Sequence, residues 1–302
     1  MKYLYYPGCS LKGSGRPYEE SLLRLLDRLG VEVAELAHWN CCGATAYMSV
    51  DEVQAFALAA RNLCLAEACG GPGDAHLIAP CSACYLVLNK AQVYIRQYAR
   101  IGQVVAEALR AAGLEYHGRI KVRHPLDVLF HDVGVERIKK AVTRPLQGLK
   151  VACYYGCQVV RPYATFDNPY NPMVMDHLLR AAGAQTVDWS LKARCCGGTL
   201  TGTMEEAGLR LSYILLKEAR AQGAQVVATA CPLCQFNLEC YQDRMQSRFG
   251  DGIEMPVAYF TQLLGMAMGI PAGKLGMERL LAPQPAIPAG PPGAAAAVKG
   301  EI

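Results

Sequence analysis

The sequence predicts an α/β protein made of two tandem, pseudo-symmetric units, each a small, mainly parallel sheet flanked by helices. Three observations predict it. Short apolar runs alternate with longer segments of helical period, as β-α-β units require. The alternation is written twice along 302 residues, a length that accommodates two compact domains. Each copy also carries the same cysteine stations. They are Cys9, Cys41-Cys42-Gly43 and Cys81-Ser82-Ala83-Cys84 in the first, and Cys157, Cys195-Cys196-Gly197 and Cys231-Pro232-Leu233-Cys234 in the second.

The elements follow in order. Residues 2–6 and 150–155 read as buried strands running into a glycine and a cysteine, Tyr6-Pro7-Gly8-Cys9 and Tyr154-Tyr155-Gly156-Cys157. An Arg-Pro-Tyr triplet follows each, Arg16-Pro17-Tyr18 and Arg161-Pro162-Tyr163, with the proline suited to a helix's first position. Leu22, Leu23, Leu25, Leu26 and Leu29 give one helical period, and Met175, Leu178 and Leu179 the other. They stop at Gly30 and Gly183, as helix C-termini do. Strands at 31–34 and 186–189 lead to the Cys-Cys-Gly turns. Long helices at 50–68 and 203–222 and buried strands at 76–79 and 225–229 come next. Each of these strands feeds a Cys-x-x-Cys that opens a further helix, at 85–99 and 235–248. The cysteines therefore fall at strand ends, where open α/β sheets collect ligands. The expected domains are 1–115 and 149–281. A connecting segment at 116–148, helix-like over 125–142, joins them, and a flexible Pro/Ala/Gly-rich tail occupies 282–302.

Composition narrows the function. Apolar residues make up 52% of the chain, enough for a real core, and the net charge of +4 comes without a long basic run. Nucleic acid is therefore not an expected partner. No secretory leader precedes the first strand, and the apolar stretch 257–270 is too short to cross a bilayer, so a cytoplasmic protein without a membrane span is expected. In a reducing compartment the 14 cysteines are not expected to serve as structural disulfides.

Ten of those cysteines form two sets of five, with internal gaps of 31 and 38 residues in the first and 37 and 34 in the second. Thiolates are soft ligands for zinc, copper(I) or iron–sulfur clusters. Side chains of adjacent residues in an extended segment point apart, so a Cys-Cys pair suits a multi-atom cluster better than one ion. The following glycine permits a turn or close backbone approach. Five thiolates also exceed the four that zinc takes. An iron–sulfur cluster explains the spacing better than zinc, and zinc stays open as the alternative.

The arrangement Cys, Cys-Cys-Gly, Cys-x-x-Cys at these gaps resembles the cysteine-rich CCG domain. Two copies in tandem, opening on Tyr-Pro-Gly-Cys, are similar to the B subunit of heterodisulfide reductase. The stretch Val122-Arg123-His124-Pro125-Leu126 through Asp132-Val133-Gly134 resembles the inter-domain region of that family. The resemblance spans residues 1–270. It implies two non-cubane [4Fe-4S] clusters, one held by Cys9, Cys41, Cys42, Cys81 and Cys84, the other by Cys157, Cys195, Cys196, Cys231 and Cys234. It implies a catalytic subunit that reduces or forms a small-molecule disulfide between the two domains. The implied partners are a ferredoxin-type protein with [4Fe-4S] clusters, like the C subunit of such complexes, and behind it a flavin iron–sulfur protein, like their A subunit. An electron-transfer subunit working with a quinone, a CoA thioester or another carrier uses the same ligands. A zinc-stabilised interaction module is the third reading.

Cys153 lies four residues before Cys157, but the internal repeat aligns Gly156-Cys157 with Gly8-Cys9 and leaves Cys153 inside the strand. Cys64, Cys69, Cys153 and Cys240 are expected in the core. Arg16 and Arg161 follow a leading cysteine in each half. Each either offsets cluster charge or binds a substrate anion, or else makes a surface ion pair. His38 precedes Cys41 by three residues and is either a sulfur or proton partner or a packed histidine. Met266 and Met268 read as core, and Asp127, Asp132 and Glu136 as a solvated face.

Overall fold

The computed structural model describes residues 1–44, 46–70, 75–250 and 252–282. Of the tail expected at 282–302, all but residue 282 lies outside the described residues. The first half runs β1 Lys2–Tyr5, α1 Gly8–Leu11, α2 Arg16–Arg28, β2 Glu32–Glu35, α3 Ala46–Val50, α4 Glu52–Cys69, β3 Ala75–Ile78, α5 Ser82–Gln97, α6 Ala99–Ala111 and β4 Ile120–Arg123. The link carries α7 Pro125–Asp127, a π-helical turn Val128–Val133 and α8 Val135–Ala141. The second half runs β5 Lys150–Tyr154, α9 Val174–Ala181, β6 Gln185–Thr186, α10 Leu200–Thr203, α11 Glu205–Ala221, β7 Val226–Thr229, α12 Pro232–Glu239, α13 Gln242–Phe249, β8 Val257–Tyr259 and α14 Phe260–Ala267.

Each half holds one four-stranded sheet, ordered β2-β1-β3-β4 and β6-β5-β7-β8, and every pairing is parallel. The expected α/β fold with two matching sheets is therefore present. In each sheet the chain leaves the first strand toward one edge and returns on its other side. This creates a switch point between β1 and β3, and between β5 and β7, at the carboxyl ends where ligand crevices form. Helices cover both faces, and one buried core extends from Tyr5 and Leu25 in the first half to Tyr259 and Leu263 in the second. A second cluster around Trp189, Leu216 and Val227 belongs to the second half alone.

Several elements differ from expectation. Strands β4 and β8 are not expected from the sequence. The segment expected to be a connector at 116–148 thus supplies an edge strand to the first sheet, and the 257–270 stretch opens with an edge strand of the second. Both are only three or four residues long, below the length at which periodicity speaks. The helix expected at 85–99 is α5, followed by a further helix, α6, that the sequence does not lead one to expect, whereas the single helix expected at 235–248 is broken into two after Glu239. The Arg-Pro-Tyr triplets are not equivalent. Pro17 lies in the first turn of α2, whereas Arg161-Pro162 carries a cis peptide bond in a loop and the next helix starts only at Val174.

Asp127 and Asp132 do not form a solvated face. Asp127 is buried and Asp132 half-buried, and both pair with the buried Arg123, whose Nη1 donates to Asp132 Oδ2 at 3.1 Å. Tyr3 Oη donates to the same carboxylate at 2.5 Å, tying the link to β1. Glu136 alone of the three is exposed.

Candidate metal centres

The cysteine pockets follow from local structure. In each Cys-x-x-Cys the first cysteine is the extended N-cap of a helix and the second sits one turn in. Cys81 caps α5 with Cys84 following, and Cys231 caps α12 with Cys234 following, Pro232 taking the first helical position. The Cys81 thiol accepts the amide of Cys84 and the Cys231 thiol that of Cys234, helix-start contacts that favour a thiolate, whereas the neighbouring thiols and burial push Cys84 and Cys234 up. The leading cysteines, Cys9 and Cys157, follow β1 and β5 through glycines at φ +66° and +71°. A Cβ at Gly8 would stand 2.9 Å from Cys84 Sγ, and one at Gly156 would stand 3.1 Å from Cys234 Sγ. Glycine thus keeps the pocket mouth clear of side-chain atoms. Gly43 and Gly197 have φ +83° and +101°, and a Cβ on either would meet the backbone of the long helix behind, at Ala55 or Gly208.

Two tyrosines to which the sequence pattern assigns no role hold these loops. Tyr6 Oη donates to the carbonyl of Asn40 at 2.8 Å, and Tyr154 Oη to the carbonyl of Arg194 at 2.7 Å. Each latch lands on the residue before a Cys-Cys pair, and both rings are fully buried against the thiols of their own half. Other braces differ between halves. Asn62, on α4, holds Asn40 through two bonds of 2.9 Å. In the second half Asn237 donates to Cys196 Sγ at 3.4 Å and to the Gly198 carbonyl at 2.8 Å, and Ser212 donates to the Cys196 carbonyl at 2.8 Å. The available signal was position: Tyr stands three residues before both leading cysteines, and Asn237 lies one turn beyond Cys234.

The thiols lie in pairs. Cys9 and Cys41 are 3.9 Å apart and Cys42 and Cys84 3.3 Å, while Cys196 and Cys234 are 3.6 Å apart. Cys157 adjoins Cys195. Cys41 is pulled well below the ordinary thiol range by hydrogen bonds from Cys42 and Cys9 and by the amides of Gly43 and Cys42. Cys195 is pulled down likewise by Cys157 and Cys196, the Gly197 amide and the charge of Arg161. Cys9 and Cys157, which give those hydrogen bonds, are pushed up. Among the described residues no three Cys, His, Asp or Glu side chains gather as tightly as a single metal ion would need.

The two sets meet. Cys81 and Cys231 are buried and face each other across the boundary between the halves. Ser82 Oγ donates to the Ala230 carbonyl at 3.3 Å across the same seam, and Gly15 packs so closely on Pro232 that a Cβ would stand 2.9 Å away. On the outer side Cys9, Cys41 and Cys195 are exposed. The soft donors, the glycine clearance and the amides directed at Cys41 and Cys195 fit an iron–sulfur group in each half.

The other candidates separate. Arg161 reaches the second site: its guanidinium donates to the Ala193 carbonyl and bears on Cys195. Arg16 is exposed and pairs with Glu20 on its own helix at 3.0 Å, the surface ion pair of the two readings. His38 is exposed at φ +58°, and its carbonyl accepts Arg61 at 2.8 Å. Cys153 is fully buried within β5 behind Tyr155, near Asp176, and Cys157 holds the place equivalent to Cys9. Cys64 is buried and Cys240 half-buried, but Cys69, expected in the core, is exposed at the end of α4. Met268 is buried in the core, with Met266 packed on it.

Ten thiols at the carboxyl ends of two equivalent parallel sheets define a duplicated, cysteine-rich α/β protein. The cysteine-rich domain CCG matches residues 3–89 and 151–239, and the chain belongs to that family, in two tandem copies. It is 32% identical to the membrane anchor subunit of the 8-methylmenaquinol:fumarate reductase of Wolinella succinogenes, covering 92% of this chain and 95% of that one. It is 30% identical to a protein of Archaeoglobus profundus named as like the B subunit of heterodisulfide reductase, covering 91% and 93%. It is 29% identical to the B subunit of the ferredoxin:CoB-CoM heterodisulfide reductase of Methanosarcina mazei, covering 92% and 93%. A hypothetical protein from Helicobacter pylori shares the fold, with a TM-score of 0.71 at 16% identity over 92% of this chain and 51% of that one. No helix among the described residues is long and apolar enough to cross a membrane.

Proposed function

We propose that this chain is the catalytic iron–sulfur subunit of a heterodisulfide reductase-type complex, working on a small-molecule disulfide where its two halves meet. The observation that carries the reading is the pair of complete five-cysteine sets whose innermost members, Cys81 and Cys231, face each other across the seam. Relatives named for the B subunit of heterodisulfide reductase support it. Disulfide cleavage takes two electrons and two protons and yields two thiols. Bound clusters, non-cubane [4Fe-4S] in this reading, supply electrons singly and offer iron as a soft acid for sulfur. The chain's own residues hold, bury and orient. Cys9, Cys41, Cys42, Cys81 and Cys84 are the first ligand set, and Cys157, Cys195, Cys196, Cys231 and Cys234 the second. Tyr6 and Tyr154 fix the loops, and Arg161 offsets negative charge beside Cys195.

Electrons reach the exposed side, at Cys9, Cys41 and Cys195, from a ferredoxin-type partner supplied in turn by a flavin iron–sulfur protein. The cytoplasm is the setting in which such soluble electron carriers meet the chain. A relay reading, in which the clusters pass electrons to or from a quinone, draws on the relative that serves a quinol:fumarate reductase.

Anaerobic purification followed by iron and sulfide analysis, then turnover of a panel of disulfides with reduced viologen, decides between them. The reductase reading expects iron in both halves and disulfide-dependent viologen oxidation, lost in Cys196→Ala. Iron-loaded protein inert toward every thiol disulfide but oxidised by a quinone analogue would establish the relay. A colourless zinc protein would end both.

A further inference from the structure

His124 has both ring nitrogens engaged inside the core. It is fully buried at the end of β4, where it is the N-cap of α7. Its Nδ1 accepts the amide of Leu126 at 3.2 Å. Its Nε2 lies 3.0 Å from the Pro80 carbonyl, which can only accept, so Nε2 carries the proton and donates. The two partners thus set the tautomer. Burial pushes the ring down to about 4, in keeping with a neutral imidazole. The backbone on either side is fixed as well. The Arg123 carbonyl accepts the Ala79 amide at 2.9 Å, and the His124 carbonyl accepts that of Val128 at 3.2 Å.

The carbonyl that His124 holds belongs to the residue before Cys81, the innermost ligand of the first proposed set. Pro80 has no N–H with which to extend the pairing of β3, so its buried carbonyl is the polar group left to hold the short run from Ala79 to the Cys81 N-cap. In the second half the equivalent carbonyl, of Ala230 before Cys231, accepts Ser82 Oγ instead.

Two aromatic rings hold the imidazole. Tyr85, next to Cys84 on α5, meets it edge-on with centroids 5.6 Å apart. Phe166, from the second-half loop before α9, lies parallel to it, with centroids 6.2 Å apart and planes at 5°. The hydroxyls of Tyr85 and Thr165 hydrogen-bond beside that stack. The second half therefore reaches across the seam to the residue that braces a first-half ligand. The reverse stack lacks such a brace. Tyr259 is the N-cap of α14 and so the counterpart of His124, and it lies against Tyr18 of the first half with centroids 4.6 Å apart. Its hydroxyl has no hydrogen-bond partner among the described residues.

We propose that His124 is a positioning residue for the first-half cluster: its Nε2–H fixes the backbone ahead of Cys81, and Thr165 and Phe166 of the second half hold the ring in place. The first ligand set is then fully braced only when the second half is docked on it. Loss of a bond that orients a ligand weakens the hold on the metal group. His124 acts through the Pro80 backbone, and the inference rests on the cluster reading above.

The test separates the two nitrogens. In intact, anaerobically purified protein, His124→Asn keeps an acceptor near the place of Nδ1 and loses the donor, whereas His124→Gln puts an amide N–H near the place of Nε2. Iron analysis, challenge with an iron chelator and electron paramagnetic resonance read the outcome. The first-half cluster is identified by its loss in Cys42→Ala and the second by its loss in Cys196→Ala. His124→Asn should hold the first-half cluster about tenfold less tightly against the chelator and alter its signal, with the second cluster unchanged. His124→Gln should restore both readings toward wild type. Phe166→Ala, at a half-buried loop position of the second half, should move the first-half readings the same way by a smaller amount. Unchanged first-half readings in His124→Asn, equal disturbance in the Asn and Gln variants, or equal loss from both clusters would overturn the inference while leaving the clusters in place. If neither His124 variant folds, Phe166→Ala decides: a change in the first-half signal alone supports the inference, and any other result overturns it. Wild-type protein without iron would overturn the cluster reading and this inference with it.

Discussion

Replacing Lys192 by methionine removes the cation from the most enclosed ion pair of the second half. Asp176 and Lys192 are 0% and 2% exposed, with Nζ 3.0 Å from Oδ1. Tyr155 Oη donates to the other carboxylate oxygen at 2.7 Å, and Arg180 approaches no closer than 4.0 Å. Removing one partner of such a pair strands a buried charge and costs about 3–5 kcal/mol, whereas replacing both partners with apolar groups is often close to neutral. The Asp176→Leu, Lys192→Met double variant takes away the acceptor of the Tyr155 hydroxyl, at a cost of about 1 kcal/mol, but leaves it the amide of residue 176 at 3.1 Å. Lys192→Met alone should therefore lose about 3–5 kcal/mol, and the double variant distinctly less. The loss should reach the metal centre, because the Lys192 carbonyl accepts the amides of Tyr155 at 2.9 Å and Gly156 at 3.1 Å. Those bonds clamp the loop before Cys195 to the strand end before Cys157. Urea unfolding of anaerobically prepared protein, with iron measured on the same samples, reads both effects. Iron should fall toward half of wild type in the single variant. A single variant losing less than about 1 kcal/mol, or a double variant no more stable than the single, would refute the argument, since the 3–5 kcal/mol scale would not apply to this pair.

Gly8→Ala should deplete iron from the first half, because its Cβ would stand 2.9 Å from Cys84 Sγ. Gly113→Ala, at a similar φ of +69° with nothing within 4 Å, should carry only the backbone cost of about 1–2 kcal/mol and keep its iron. Arg16→Gln should change stability by less than about 0.5 kcal/mol and leave turnover intact, as expected of an exposed i,i+4 pair. Arg161→Gln should lower the reduction potential of the second cluster more than Arg161→Lys does, because lysine keeps the charge beside Cys195; equal effects would assign Arg161 to bracing the Ala193 carbonyl alone. Asn237→Leu should alter the electron paramagnetic resonance signal of the second cluster and leave the first unchanged, since the thiol its amide donates to is Cys196, of the second set; identical spectra would remove Asn237 from the site.

The parallel sheets and the ten cysteine positions were legible because both are written in short-range pattern: apolar runs that alternate with helical periods, and a spacing repeated within one chain. Strands β4 and β8 were not. Ile120–Arg123 alternates too briefly, and Val257–Tyr259 merges with the apolar face of α14, so neither stands out before its neighbour strand supplies the hydrogen bonds. Asp127 and Asp132 looked like a surface face because helical spacing says nothing about a buried arginine arriving from the preceding strand. The equivalence of Arg16 and Arg161 failed for a related reason. The triplet recurs, but in the second half the chain runs on for a long loop before α9, and that loop carries Arg161 back to the Ala193 carbonyl. Tyr18 and Tyr259 could not be paired from sequence at all, since they lie at unrelated positions in the two repeats and meet only because α2 packs against α14.

Those mismatches fall into a pattern. What the halves share is what makes a pocket: a glycine of positive φ before the leading cysteine, a tyrosine latch on the Cys-Cys loop, and a cysteine as helix N-cap. What they do not share is charge. The first half balances Glu19 with Lys12 at a partly exposed position and sends Arg16 outward, while the second buries Lys192 with Asp176 and turns Arg161 onto Cys195. Duplicated backbones with diverged electrostatics place the same kind of group in two unequal settings.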